Sequence, residues 1–330
     1  MKITIAYHGH CFDGMASAAL LTRFLRREAG ETGATFAYRG LDHQPGGSHV
    51  PESVLDGDLN AVVDFRYSTS PKLDWWFDHH LTGLVSDEER AHLAADSTGH
   101  KFFDAQCGSC CRLIADVTRT RFGFEAPELD ELVRWAHVID TATFETAESA
   151  VWLPDPALQL MAVVERHGDD KFLAPRIAAL AEGATLEELT NDADVRARLA
   201  PIVAERDRDI ERVRAAGRVE DGVVRIDLVE SGDERYGKFI PYMLFPEARY
   251  VVVLSRGARR TKVSVGFNPW SKVPRAHDIS ALCAKHGGGG HAVVGAVSLG
   301  PDELDRGRIV AKDIADALSR DPVIPIDPAP

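Results

Sequence analysis

Residues 61–80 read AVVDFRYSTSPKLDWWFDHH, and this stretch decides the fold class. Ala61-Val62-Val63 and Trp75-Trp76-Phe77 are short, wholly apolar runs bounded by turn-forming and polar residues. Such runs mark parallel strands buried on both faces. Each stops abruptly at ionisable residues: Asp64 after the first, Asp78-His79-His80 after the second. Working outward, Lys2 to His8 alternates and is rich in Ile and Tyr, so it reads as a first strand. Met15 to Glu28 follows with Ala18, Leu21 and Leu25 at helical spacing. Phe36 to Tyr38 is a further short apolar run. Strand and helix alternate, which predicts an α/β layered domain with a parallel sheet.

From Cys107 to Leu189 the pattern is mostly helical, including Glu128 to Ile139 and Ala157 to Glu165. Asn191 to Gly217 reads as a helical connector, with Pro201 marking a break or restart. After Gly222 strands are predicted over Val223–Val229, Tyr250–Leu254 and Lys262–Phe267. A helix over Asp278–Lys285, a glycine cluster and an amphipathic helix over Asp302–Ser319 complete this part, with Pro301 at the last helix's opening turn. The expectation is a bilobed α/β protein. An N-terminal parallel-sheet domain (1–190) is joined by the connector (191–217) to a smaller mixed α/β domain (218–322), with an extended tail (323–330).

The 330 residues exceed what one small core organises. No apolar run approaches the roughly 20 residues that span a bilayer, and the N-terminus lacks the features of a signal peptide. A cytoplasmic protein with no membrane partner is expected. Five cysteines in a chain of this length predict no disulfide framework. Cys107-Gly-Ser-Cys110-Cys111 lacks a second ligand pair, so it reads as buried side chains on a helix. The net charge of −13 disfavours long duplex nucleic acid as a partner, because such binding rests on neutralising phosphates. Short or small phosphorylated substrates fit better, with Arg256, Arg259 and Arg260 as a local basic run.

Four segments carry Asp and His at predicted element ends: His8 to Gly14 (HGHCFDG), Asp64, Asp78-His79-His80, and Asp140 after a helix through Trp135 and Ile139. In an open parallel sheet, ligands bind outside the carboxyl ends of the strands, where three of these segments fall. Carboxylates mixed with imidazoles suit divalent Mn or Mg, with Zn as an alternative. Two ions bridged by a carboxylate activate water and neutralise a phosphoryl group. Near the C-terminus, His286-Gly287-Gly288-Gly289-Gly290-His291 strips side chains from the backbone. It reads either as a helix C-cap or as a run of N–H groups that cradles an anion.

The segments HGHCFDGMAS (8–17), Val62-Val63-Asp64, Asp78-His79-His80 and Ile139-Asp140-Thr141 resemble the four motifs of the DHH phosphoesterases. The resemblance implies two divalent ions, Mn foremost, held by His8, Asp13, Asp64, His79 and Asp140, with Asp64 bridging. It also implies that His80 contacts the scissile phosphate and that Asp78 orients the neighbouring imidazoles. The family's first motif usually has two aspartates, whereas here Cys11 stands where the other belongs, with His10 beside it. Either is a candidate replacement ligand, and a thiolate would favour softer ions such as Zn. GGGGH followed by Ala-Val-Val-Gly-Ala resembles the DHH-associated C-terminal domain of nano-RNA hydrolases and exonucleases. That implies substrate binding by Gly288, Gly289, Gly290 and His291; Asn268 is a polar group available nearby, and Trp270 reads either as a core or lid residue or as a base-stacking ring. The expected activity is phosphoester hydrolysis on small nucleotides or short single-stranded oligonucleotides. An exopolyphosphatase-like hydrolase and a nucleotide-binding regulator are the alternatives, and a homodimer stays open.

Overall fold

The computed structural model describes residues 1–28, 33–43, 49–233 and 235–320; the predicted tail over 323–330 lies outside them. The chain runs through β1 (Lys2–His8), α1 (Phe12–Glu28), β2 (Thr35–Leu41), β3 (Leu59–Val63), β4 (Trp75–Asp78), α2 (Asp87–Ala94), β5 (Lys101–Phe103) and α3 (Cys110–Phe122). Six helices follow: α4 (Asp130–Asp140), α5 (Ala147–Trp152), α6 (Pro156–His167), α7 (Asp170–Ala181), α8 (Leu186–Asn191) and α9 (Ala193–Ala216). Then come β6 (Gly217–Glu220), β7 (Val223–Asp227), α10 (Ile240–Leu244), β8 (Tyr250–Arg256) and β9 (Thr261–Phe267). The last elements are α11 (Ile279–Ala284), β10 (Gly289–His291), β11 (Val294–Leu299) and α12 (Leu304–Leu318).

Two compact units result. The first comprises residues 1–144 and 153–202, the second 145–152 and 203–330. The units therefore part inside α9, and α5 packs with the second unit although its neighbours in sequence belong to the first. No described helix is long and apolar enough to cross a membrane.

The first unit is built on a five-stranded, wholly parallel sheet in the order β2-β1-β3-β4-β5. The chain moves from β1 to one side for β2 and then to the other for β3, so the strand order reverses there. That reversal opens a crevice at the carboxyl ends of the strands. Helix α1 is buried on nearly all sides, which its small Ala16, Ser17, Ala18 and Ala19 allow.

The second unit holds a six-stranded mixed sheet, β10-β11-β9-β8-β7-β6, with only the β7–β8 pair parallel. Along β8, successive side chains enter two cores on opposite faces of the sheet. Tyr250, Val252 and Leu254 face a core with α11 and α12, while Val251 and Val253 face one with Ile210, Val213, Ile240 and Val151.

Three expectations are corrected. Helix α9 runs unbroken through Pro201; the carbonyl that proline deprives of a partner belongs to exposed Ala197 and is open to water. Strand β7 ends at Asp227, and Val229–Ser231 forms a single 3-10 turn. The glycine cluster is not a free row of N–H groups. Gly287 N–H and Gly288 N–H donate to Ala284 and Cys283 carbonyls at the end of α11, and Gly289–His291 pairs with β11 as an edge strand.

Candidate metal centre

Three adjacent strands deliver their terminal groups at one level. Tyr7 lies opposite Val63, and Val63 opposite Phe77, so the next residues are His8, Asp64 and Asp78. Asp64 leaves its strand with φ at +56°, a left-handed conformation that Asp tolerates better than most residues. Its N–H is held by the Phe77 carbonyl at 3.0 Å. Asp13 arrives on the first turn of α1, and Asp140 is the last residue of α4.

Gly14 makes the α1 approach feasible, because a Cβ there would overlap the His8 carbonyl oxygen. Gly14→Ala is expected to lose roughly 1–3 kcal/mol, the usual cost of forcing an atom into a packed site. Urea unfolding of the metal-free protein measures it; an unchanged midpoint would refute the close approach.

The side chains converge on Asp64. His8 Nδ1 lies 3.4 Å from its Oδ2, and His79 Nε2 lies 3.5 Å from its Oδ1. His79 Nε2 is also 3.3 Å from Asp140 Oδ2 and 4.0 Å from Asp13 Oδ2. Two sets of donor atoms are each close enough to hold an ion: Asp13, Asp64 and His79, and His8, Asp64 and His80. Asp64 belongs to both. Both its oxygens are buried without a hydrogen-bond partner, as are His8 Nδ1 and His79 Nε2. Buried polar atoms are almost always satisfied. Four left orphaned around one point fit a cation.

Other hydrogen bonds aim these groups. His79 Nδ1 is 3.0 Å from the Cys107 carbonyl, which only accepts, so Nδ1 carries a proton and Nε2, facing the carboxylates, is the nitrogen whose lone pair an ion would take. Asp78 Oδ1 accepts from the His79 N–H, the His80 N–H and His80 Nδ1, the last at 2.7 Å. Asp13 receives the Cys110 N–H on Oδ2 at 2.6 Å and the Cys111 N–H on Oδ1 at 3.0 Å. Its carboxylate thus sits on the N-terminus of α3, where free N–H groups and the helix dipole favour negative charge.

The electrostatics are those of a site short of cations. Burial, then Asp64 and Asp140, push the Asp13 carboxyl well above the usual range. Burial and Asp64 raise Asp140 as well. Burial also opposes charge on Asp64, but the imidazoles of His79 and His8 overcome it and hold this carboxyl far below the ordinary value. Burial works against the His79 cation, yet Asp64, Asp13 and Asp140 together lift it to about 9. His80 is raised chiefly by its bond to Asp78.

His10 does not join this group. It is exposed at φ +52°, and its Nδ1 accepts the Gly168 N–H at 3.1 Å. Burial, then Asp64 and Asp13, push the Cys11 thiol well up, and Cys11 belongs to neither of the two donor sets. Asn268 is buried in the second unit. Its amide donates to the Ala248 and Pro246 carbonyls and accepts the Trp270 N–H, so its polar atoms serve its own loop. Trp270 packs against Phe239 and Tyr242, while His291 is exposed on β10. One neighbour went unread in the sequence. His43, two residues beyond β2, sets its ring 4.8 Å from that of His8 and stacks on Phe65. No apolar run leads into it, so only the fold brings it here.

No protein-family model matches the chain, and no curated protein matches it. Solved structures do. The pGpG-specific phosphodiesterase PggH from Vibrio cholerae superposes with a TM-score of 0.67 at 18% identity, over 96% of this chain and 100% of that one. Exonuclease RecJ bound to manganese gives 0.45 at 16% identity, over 98% of this chain and 91% of that one. A DHH domain described as a member of the s1p family of ribosomal proteins gives 0.49 at 12%, over 96% and 86%. At such identities the likeness is one of fold.

Proposed function

From the fold of the DHH phosphoesterases, which this chain has, we propose a divalent-metal-dependent phosphohydrolase that acts on small nucleotides or short single-stranded oligonucleotides. The observation that carries this reading is Asp64, whose two buried oxygens lack partners and lie between His8 and His79. Asp13, Asp64, His79 and Asp140 would hold one ion, and His8 with Asp64 a second. Ions held there would supply Lewis-acid neutralisation of a phosphoryl group and a water acidic enough to attack it.

The chain's own groups do the rest. Asp78 fixes the His80 ring through Nδ1 and raises its affinity for a proton. The remaining nitrogen, Nε2, is then a donor for a phosphoryl oxygen, which is how His80 would stabilise the developing charge. The α3 N–H groups hold Asp13 so that burial does not turn it away from the cluster. Of the two candidates for the missing aspartate's place, Cys11 is the better one, because its thiol feels the charges of Asp64 and Asp13. The second aspartate that most such sites have is absent, so the affinity of the first ion rests on fewer carboxylates.

Asp78→Asn is expected to lower turnover about 10–100-fold, as loss of a carboxylate behind an active imidazole does. Because the amide keeps its shape, ion content should hold; a full loss of bound ions instead would make Asp78 structural.

The test is hydrolysis by the Mn-loaded protein of a 5′-phosphorylated RNA dinucleotide, a 3′,5′-bisphosphonucleotide, single-stranded DNA and polyphosphate. Mn-dependent cleavage of a nucleotide substrate supports the reading. Cleavage of polyphosphate alone would replace it with a polyphosphatase. No turnover in a folded, ion-loaded protein would sink it in favour of a nucleotide-binding regulator.

A further inference from the structure

An aromatic ring outside the motifs stands at the edge of the metal centre. His43 lies two residues past the end of β2 and is exposed, yet its ring is held on two sides. It stacks on Phe65, with 5.1 Å between ring centroids and 24° between planes. Its edge-to-face neighbour is His8, 4.8 Å away at 69°. Phe65 follows Asp64 directly and is itself only 1% exposed. The imidazole thus rests on a fixed core side chain, and little rotamer freedom is left to lose when something binds to it.

Two aspects of this placement bear on what the ring can do. The first is position. His8, Asp64 and His80 form one of the two donor sets, and the His8 and His80 ring centroids are 6.2 Å apart. A phosphoryl group neutralised by an ion at that set would have His43 one ring beyond His8. Asp64 is buried, so the group esterified to the phosphoryl must extend to the solvent side, where His43 is exposed. The second is orientation. Phe65 covers one face of the imidazole, which leaves the opposite face open. A phosphate is gripped by N–H groups at the edge of a ring, whereas a nucleobase is held by a flat face. A ring laid flat on a core side chain fits the base. An inorganic polyphosphate has no flat group to lay on it.

We propose that His43 is a substrate-binding residue of the metal centre, the platform on which the nucleobase next to the scissile phosphate stacks. The proposal rests on the phosphohydrolase reading for the position of that phosphate. It deepens that reading by requiring a base beside the bond that is cut, so that the first unit itself tells a nucleotide from a bare phosphate chain. His43 holds no ion in this scheme and moves no proton; it contributes to substrate affinity alone.

The test is equilibrium binding of two uncleavable analogues to the full, Mn-loaded chain: adenosine with a methylene phosphonate in place of its 5′-phosphate, and ribose carrying the same group. His43→Ala, His43→Gln and His43→Phe are run beside the wild type, with thermal melts and ion content as controls. The adenosine analogue should bind the wild type about tenfold or more tightly than the ribose analogue, as stacking of one base gives. His43→Ala and His43→Gln should lose that preference, His43→Phe should keep it, and the ribose analogue should bind all four proteins alike. Equal affinity of the wild type for the two analogues, no binding of either, or a full preference in His43→Ala would overturn it. So would a preference kept by His43→Gln and lost in His43→Phe, which would make the contact a hydrogen bond. An equal loss of both analogues together with bound ion would make His43 a support for His8 instead. Because neither analogue is cleaved, failure of the hydrolysis panel leaves this result readable. Turnover of nucleotides with no base preference in binding would sink this proposal and leave the phosphohydrolase standing.

Discussion

Asp64→Ala should lower kcat by about 10³-fold or more and remove most bound divalent ion from the purified protein. The magnitude follows from several kcal/mol of charge stabilisation at about 1.36 kcal/mol per decade of rate. Asp64 is the sole member of both donor sets, so its loss weakens both at once. It is also the carboxylate nearest His8, at 3.4 Å. Asp64→Asn keeps the shape and isolates the charge. Elemental analysis together with steady-state kinetics decides the matter. Two ions per chain and undiminished turnover in Asp64→Asn would show that Asp64 bridges nothing.

A comparable effect is expected from pH alone. His79 holds its proton up to about 9 in the metal-free protein, and an ion needs the lone pair on that same Nε2. Below pH 9 binding must therefore expel a proton, and the apparent affinity for Mn should climb by up to about tenfold per pH unit. Between pH 7 and 9 this amounts to about 10²-fold, and the gain levels off above. The stability of the metal-free protein should move the other way. The folded-state value of His79 is raised from 6.5, so its contribution is complete below the unfolded value and is lost as pH rises through about 9. Asp13 and Asp140 act in the same sense, because their raised values make the folded state bind more protons than the unfolded one. Melting temperatures with and without Mn, read from pH 6.5 to 9.5, should diverge. Parallel curves would show that His79 is not a ligand.

The strand ends were legible because a buried parallel strand leaves a plain trace: a few apolar residues, then a charge. Lys2–His8 emerged with its full extent, and Asp64 and Asp78 emerged as endings. Helix α1 was legible from its spacing, although its first turn, which carries Asp13, was not. What escaped was carried by the main chain or by distant packing. The N–H groups of Cys110 and Cys111 that grip Asp13 belong to residues whose side chains say only that they are buried. His10 takes a left-handed turn, and its ring accepts the Gly168 N–H instead of joining the cluster. Asn268 looks like an available polar group until its amide is found bonded to its own loop. Gly289–His291 forms a strand although glycine has poor strand propensity, because β11 offers an open edge.

The eight residues of 145–152 carry a consequence for anyone who cuts this protein. The chain leaves the first unit at Phe144, contributes α5 to the second, returns at Leu153, and leaves again inside α9. Neither unit is a single length of polypeptide. A truncation after residue 202 would strand Val151, which is buried in a core of the second unit, and Trp152, whose ring lies under Arg206. The second unit made alone from residue 203 would lack the same helix. Ribosomal synthesis meets the same constraint. Residues 145–152 emerge before their partners Arg206, Ile210, Val213 and Ile240, so α5 must wait until the second half of α9 and α10 has been made.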